Sequence, residues 1–184
     1  MVKFIERIKS IIYSGILSCI VILGSTAPSF AESKTLSIPA YNQQPYENIC
    51  WATSASMIKS YFKKDTKDIK VDIAKYIHGS SFNKGGTIYD IRDGVKKYAN
   101  VSGSIKLIPL SYQAVQHQIN NNGPIGVAYF YKTGGGHAVV IKGYNNITGT
   151  VTRNDPWDGK SKTSSYDYLK NNSSWSWQQS LFYK

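Results

Sequence analysis

Cys50-Trp51-Ala52-Thr53-Ser54-Ala55-Ser56-Met57-Ile58-Lys59-Ser60-Tyr61-Phe62-Lys63 opens on a cysteine and then sets Trp51, Ala55, Ile58 and Phe62 at i, i+4, i+7 and i+11. That recurrence is one face of a 3.6-residue period, so the segment is predicted to be a helix with Cys50 at its start. Upstream, residues 32–48 contain Pro39 and Pro45, which oppose helix, and read as an extended lead-in. Downstream, a second helix is predicted around Asp68–Ile77. A third opens at Thr87-Ile88-Tyr89-Asp90, a Thr-x-x-acid start resembling a capping box, and runs to about Tyr98. A fourth runs from Ser111 to about Asn121, with Gly123 just past its end. The character of the chain then changes. Ile125–Tyr131, Ala138–Tyr144 and Thr150–Arg153 are short, rich in β-branched and aromatic residues, and separated by Gly and Asn clusters. Such segments are strands of an antiparallel sheet. Helices first and strands later predict an α+β domain, an N-terminal helical half and a C-terminal antiparallel sheet with a cleft between them.

The first 31 residues read as an address. Lys3, Arg7 and Lys9 precede an apolar run from Ile11 to Gly24, and a short polar stretch ends Ser29-Phe30-Ala31. That is the layout of a secretory signal peptide cut after Ala31. The run of 14 residues is short of the roughly 20 that span a bilayer, so no stable membrane insertion is expected after cleavage. Cys19 lies too early in the apolar run for a lipoprotein cleavage box. Residues 32–184 then form one domain of ordinary size. Loss of three Lys/Arg and one Glu leaves that domain with a net charge of +9. Such a field favours anionic partners, cell-wall polymer among them, and equally serves solubility. The lysines are scattered and no nucleic-acid-binding motif accompanies them, so nucleic acid is not expected as a partner.

Cys50 is the one cysteine after residue 31. Secreted proteins pair their cysteines, so a lone one is a reactive thiol, half of an intermolecular bridge, or a small buried apolar side chain. Its place at a helix start favours the first, because free N–H groups and the helix dipole there stabilise an anion. A thiolate is the nucleophile that acyl transfer requires, and it needs a proton-transfer partner. The histidines available are His78, His117 and His137. His78 precedes Gly79 at a helix end, where it caps carbonyls, and His117 lies on a polar helical stretch at the surface. His137 follows Thr133-Gly134-Gly135-Gly136 and opens an apolar strand, where backbone can approach closely. An imidazole in this role also needs an orienting group. Asp155, after the strand Thr150–Arg153, can serve, and Asn154 could substitute. For the oxyanion, the backbone N–H of Cys50 is one donor, and Gln43 and Gln44 both qualify as a second. One cysteine and three dispersed histidines show no zinc spacing, so neither metal nor other cofactor is expected.

In order, Gln44-x5-Cys50-Trp51-Ala52, Gly136-His137-Ala138-Val139-Val140 and Asn154-Asp155-Pro156-Trp157 resemble the motif series of papain-like cysteine peptidases. The resemblance covers about Ser37 to Trp157. The family places an oxyanion glutamine six residues before the cysteine, which implies Gln44 rather than Gln43. It also implies Cys50 as nucleophile, His137 as base and Asp155 as orienter. Trp157 would then shield the His137–Asp155 hydrogen bond. Aspartate in place of the asparagine of plant and animal papains is similar to a short bacterial branch that includes bacteriocin-leader and avirulence-type peptidases. The 18 residues from Glu32 to Ile49 are too few for an inhibitory propeptide of papain type. The expectation is therefore a secreted cysteine endopeptidase, extracellular or wall-associated, acting as a monomer on protein or peptide substrates. A cell-wall amidase or thiol acyltransferase of the same fold is the alternative, and an inactive binding module a third.

Overall fold

The computed structural model describes residues 32–183; the expected signal peptide, with Cys19, lies outside them. Helix α1, Cys50–Lys63, begins and ends where the periodicity places it. It differs in one respect: every residue from Trp51 to Ser60 is buried, not one face. Small side chains make this possible, because the hydroxyls of Thr53, Ser56 and Ser60 and the Lys59 ammonium meet backbone or a carboxylate, while Ser54 Oγ is buried without a partner among the described residues. Ser56 Oγ donates to Asp68 Oδ1 at 2.9 Å and accepts from Ile69 N at 2.8 Å. Lys59 Nζ reaches Asp65 Oδ2 at 2.8 Å. Buried polar groups so satisfied avoid most of the desolvation cost they would otherwise carry.

Two further helices, α2, Lys70–His78, and α3, Ile88–Ala99, pack on α1, while α4, Tyr112–Asn120, packs on the sheet. The capping box of α3 forms as expected. Asp90 Oδ2 accepts from Thr87 N at 2.6 Å, and Thr87 Oγ1 accepts from Asp90 N at 3.3 Å. Gly86, just before that box, lies against the indole of Trp51, where a Cβ would come within 2.5 Å of the ring. Gly86→Ala is expected to destabilise the fold by about 1–3 kcal/mol through overpacking, seen as a lower denaturant midpoint with an unchanged slope.

The C-terminal half is an antiparallel sheet in which β3, Ile125–Tyr131, β4, Gly136–Asn145, and β5, Thr150–Asp155, are consecutive neighbours. All three are predicted from sequence. Four strands are not: β1, Ser33–Thr35, β2, Ser104–Lys106, β6, Lys160–Ser165, and β7, Trp175–Phe182. A short helix, α5, Tyr166–Lys170, joins β6 to β7. The order is β2-β7-β3-β4-β5-β6, with β1 on the far end of β4. Thus β7, last in the chain, lies inside the sheet and buries Trp177 and Leu181 against the helices. Its period-2 spacing of Trp175, Trp177 and, after a register shift, Leu181 is the signal that identifies it. The edge strand β6, Lys-Ser-Lys-Thr-Ser-Ser, has no apolar alternation at all and exists because the turn at Asp158-Gly159 folds it back on β5.

Candidate active site

Cys50 is the first residue of α1, half-buried and unpaired. Ile49 at the N-cap offers no side-chain hydrogen bond, and no acidic residue stands in the first turn. The positive end of the helix therefore faces the thiol without a competing carboxylate from that turn.

His137 is the second residue of β4, placed there by a tight hairpin. Gly134 and Gly135 take φ of 98° and 78°, a conformation that favours glycine, and Tyr131 N donates to Gly135 O at 3.0 Å. Strand register then decides what His137 meets. Val140 pairs with Asn154 and Ile141 with Arg153, so Arg153 and Asp155 share a face with Ile141, Val139 and His137. Asp155 lies diagonal to His137 on that face, a reach that long side chains span. Accordingly His137 Nε2 and Asp155 Oδ1 are 2.7 Å apart, both buried. With Nε2 engaged, the other ring nitrogen is the one available to Cys50, whose thiol also interacts with the imidazole. Burial alone would push the imidazole down. The hydrogen bond to Asp155, then the interactions with Cys50, outweigh it and bring His137 up from 6.5 to about 9. For Asp155, burial opposes ionisation, yet His137, Lys162 and the Trp157 N–H together hold the carboxyl well below the usual carboxylate range.

Neighbours of the pair differ from expectation in three places. Trp157 is 59% exposed and supplies a backbone N–H to Asp155 Oδ1 at 3.0 Å rather than a ring contact with His137. The ring on the imidazole is Tyr129, its register partner on β3, 5.5 Å between centroids, with Trp175 stacked behind it at 5.0 Å. Asn154 faces the opposite side of the sheet, as its odd–even relation to Asp155 requires. There Nδ2 donates to the carbonyls of Ile38 and Pro39, and Oδ1 accepts from Ser161. Asn154 therefore ties the lead-in to the sheet and does not reach His137.

The third difference concerns the glutamines. Gln43 is 1% exposed and lines the cleft that holds Cys50 and His137, whereas Gln44 is exposed and does not line it. Gln43 N donates to Pro156 O at 2.7 Å, fastening this segment to the turn after Asp155. Its Nε2 donates to Glu47 O at 2.7 Å and, at a longer 3.3 Å, to Tyr46 O, and its Oε1 is buried without a partner among the described residues. Gln44 stands in a turn with Pro45, closed by Tyr46 N donating to Gln43 O at 3.2 Å, which leaves its side chain in solvent. Its backbone N–H is taken by Asn42 Oδ1 at 2.8 Å. A spacing of six assumed the family's turn length; the Gln43–Cys50 segment here spans seven.

His117 is exposed beside Asn121, and His78 lies edge-on to Trp51 with its Nε2 buried and unpartnered among the described residues. Neither lines the cleft, which has a volume of about 620 Å³ and is walled by Gly85, Gly86, Tyr89, Phe130, Tyr131 and Trp157 among others. A larger hollow of about 870 Å³ lies between Pro39, Tyr61, Lys64 and Asn122, and none of the candidate residues reaches it.

A family model described as "Peptidase_C39 like family" matches residues 35–184. No curated protein matches the sequence. Among solved structures, the fold is similar to xylellain, a cysteine protease from Xylella fastidiosa, with TM-score 0.60, 12% identity, and coverage of 85% of this chain and 87% of that one. It is also similar to a chain from Bacillus anthracis described as a C39-like peptidase, with TM-score 0.58, 17% identity, and coverage of 84% and 98%. At these identities the likeness speaks to the fold.

Proposed function

Since the chain belongs to the peptidase C39-like family and is a papain-like cysteine peptidase, we propose that Cys50, His137 and Asp155 are its catalytic triad and that Gln43 donates to the oxyanion. The observation that carries this reading is one buried imidazole engaged by Asp155 at 2.7 Å and by the Cys50 thiol, at the wall of a cleft. His137 takes the Cys50 thiol proton, Sγ attacks the scissile carbonyl carbon, and the C=O electron pair moves to oxygen. The oxyanion meets the Cys50 N–H and a hydrogen of Gln43 Nε2, the one now held only loosely by Tyr46 O. Collapse expels the amine, which takes its proton from His137 and leaves an acyl-thioester on Cys50. Water, deprotonated by His137, then attacks the thioester and releases the acid and the thiolate. Asp155 keeps the imidazole oriented throughout and stays ionised.

The finer reading is a secreted endopeptidase acting as a monomer. The basic start, the apolar run and Ala31 support export, and among the described residues no helix is long and apolar enough to cross a membrane. The cleft volume supports entry of a peptide segment rather than a single side chain. The +9 charge is compatible with residence on an anionic wall.

Residues 32–184, purified, are expected to cut casein into fragments identifiable by mass spectrometry. Iodoacetamide should label the single cysteine of that form, Cys50, faster than it labels free cysteine at neutral pH, and abolish cleavage. Hydrolysis of peptidoglycan but not casein would replace the endopeptidase by an amidase. Hydrolysis of neither, with Cys50 labelled only after unfolding, would leave a binding module of the same fold.

A further inference from the structure

Asp155 has a second partner that the proposed chemistry does not use. While Oδ1 faces His137 Nε2 and the Trp157 N–H, Oδ2 accepts from Lys162 Nζ at 2.8 Å. Lys162 lies on β6 opposite Arg153 in register, and so on the same face as Asp155. Its ammonium also meets Asp158 Oδ2 at 3.1 Å, one turn before it in the hairpin. A lysine spanning two carboxylates has little freedom to swing away, and Asp155 is buried while Lys162 keeps only partial access to water. The carboxylate is thus held from both ends.

We propose that Lys162 is a positioning residue of the site: it grips Asp155 by Oδ2, aims Oδ1 at His137, and its charge limits how firmly the imidazolium holds its proton. The physical reason is competition for one negative charge. A carboxylate shared with a cation stabilises an imidazolium less than a carboxylate held by histidine alone. A histidine that must both take and return a proton works best when neither form is held too tightly. The inference rests on His137 being the base, as proposed above.

Other charges face the same cluster and do not supply this effect. Tyr129 and Tyr131 on β3 both lie within electrostatic reach of Asp155, and burial drives the Tyr129 phenol far up, so it stays neutral. Arg153 on β5 is buried and donates to Ser164 Oγ at 2.9 Å. Lys160, opposite Asp155 in register, is exposed and makes no ion pair with it. Cys50, from α1, is the remaining titratable group on the imidazole.

The test reads His137 directly. Its imidazole is titrated by NMR in residues 32–184 carrying Cys50→Ala, which removes the coupled thiol, with His78 and His117 as internal references. Adding Lys162→Met should move the His137 titration up by about half a pH unit or more, the effect of deleting a like charge nearby. Lys162→Arg should return it toward the parent value. Asp158→Asn removes the anion on the other side of Lys162 and should move it the opposite way, downward. With Cys50 intact, the alkaline limb of kcat/KM on casein-derived peptides should follow these shifts. An unchanged His137 titration in Lys162→Met would overturn the proposal. Should that variant not fold, the sign in Asp158→Asn decides: a fall supports the proposal, and no change or a rise overturns it. A wild-type chain that cleaves no peptide would count against the peptidase reading alone, because the titration stays readable without turnover.

Discussion

His137→Ala is expected to lower turnover by about four to six orders of magnitude, to the level set by binding and the oxyanion donors alone. His78→Ala and His117→Ala should leave it within a few-fold of wild type, because neither ring lines the cleft. The loss is large because the imidazole acts at both ends of the reaction, holding a proton while Cys50 is a thiolate and delivering it to the leaving amine. The same residue sets a pH limit. His137 is raised to about 9, so the protonated imidazole is present through neutral pH and disappears as pH rises through about 9, and kcat/KM should fall there. Stability follows the same linkage. A folded value above the ordinary 6.5 stabilises the fold fully below about 6.5, and that contribution is lost as pH rises through about 9. Asp155 is depressed from 3.8, so its contribution is present above about 4 and lost as pH falls. Because the two groups are one pair, their joint stabilisation is greatest between about 4 and 6.5. Steady-state profiles and thermal melts across pH 4–10 check both. A wild-type rate in His137→Ala would remove the base assignment.

Gln43→Ala is expected to lose about 100- to 1000-fold in kcat, roughly 3–4 kcal/mol of transition-state stabilisation, with a smaller change in KM. Gln44→Ala, in the exposed position, should be nearly silent. A glutamine buried to 1% exposure has a structural duty too, since Nε2 secures the carbonyls of Tyr46 and Glu47 just before α1. Two measurements separate the roles. A melting temperature close to wild type, with Cys50 still alkylated rapidly, places the loss in the reaction rather than in the fold. Wild-type turnover in Gln43→Ala would end its assignment, and a large loss confined to Gln44→Ala would restore the spacing of six residues.

Apolar periodicity placed α1 from Cys50, and β-branched and aromatic segments between Gly and Asn clusters placed Ile125–Tyr131 and the two strands after it in a sheet, because both signals report local geometry directly. The order of Cys50, His137 and Asp155 carried the family resemblance for the same reason: a motif is local at each of its parts. What lay beyond reach was every choice that depends on how distant segments meet. Gln43 and Gln44 are chemically identical, and only the hydrogen bond from Gln43 N to Pro156 O, across the fold, settles which side chain turns inward. Asp155 and Asn154 are adjacent, and strand register sends one to His137 and the other to the lead-in carbonyls. Tyr129 covers the imidazole because β3 pairs with β4 in a register that the side chains do not announce. Lys162 reached Asp155 through a polar edge strand with no pattern to predict, since its pairing is dictated by a turn and by backbone hydrogen bonds rather than by burial. Residue type and spacing thus determined the fold class and the chemistry available, while side-chain direction, a two-state property set by pairing partners far away in sequence, was decided only by the tertiary structure.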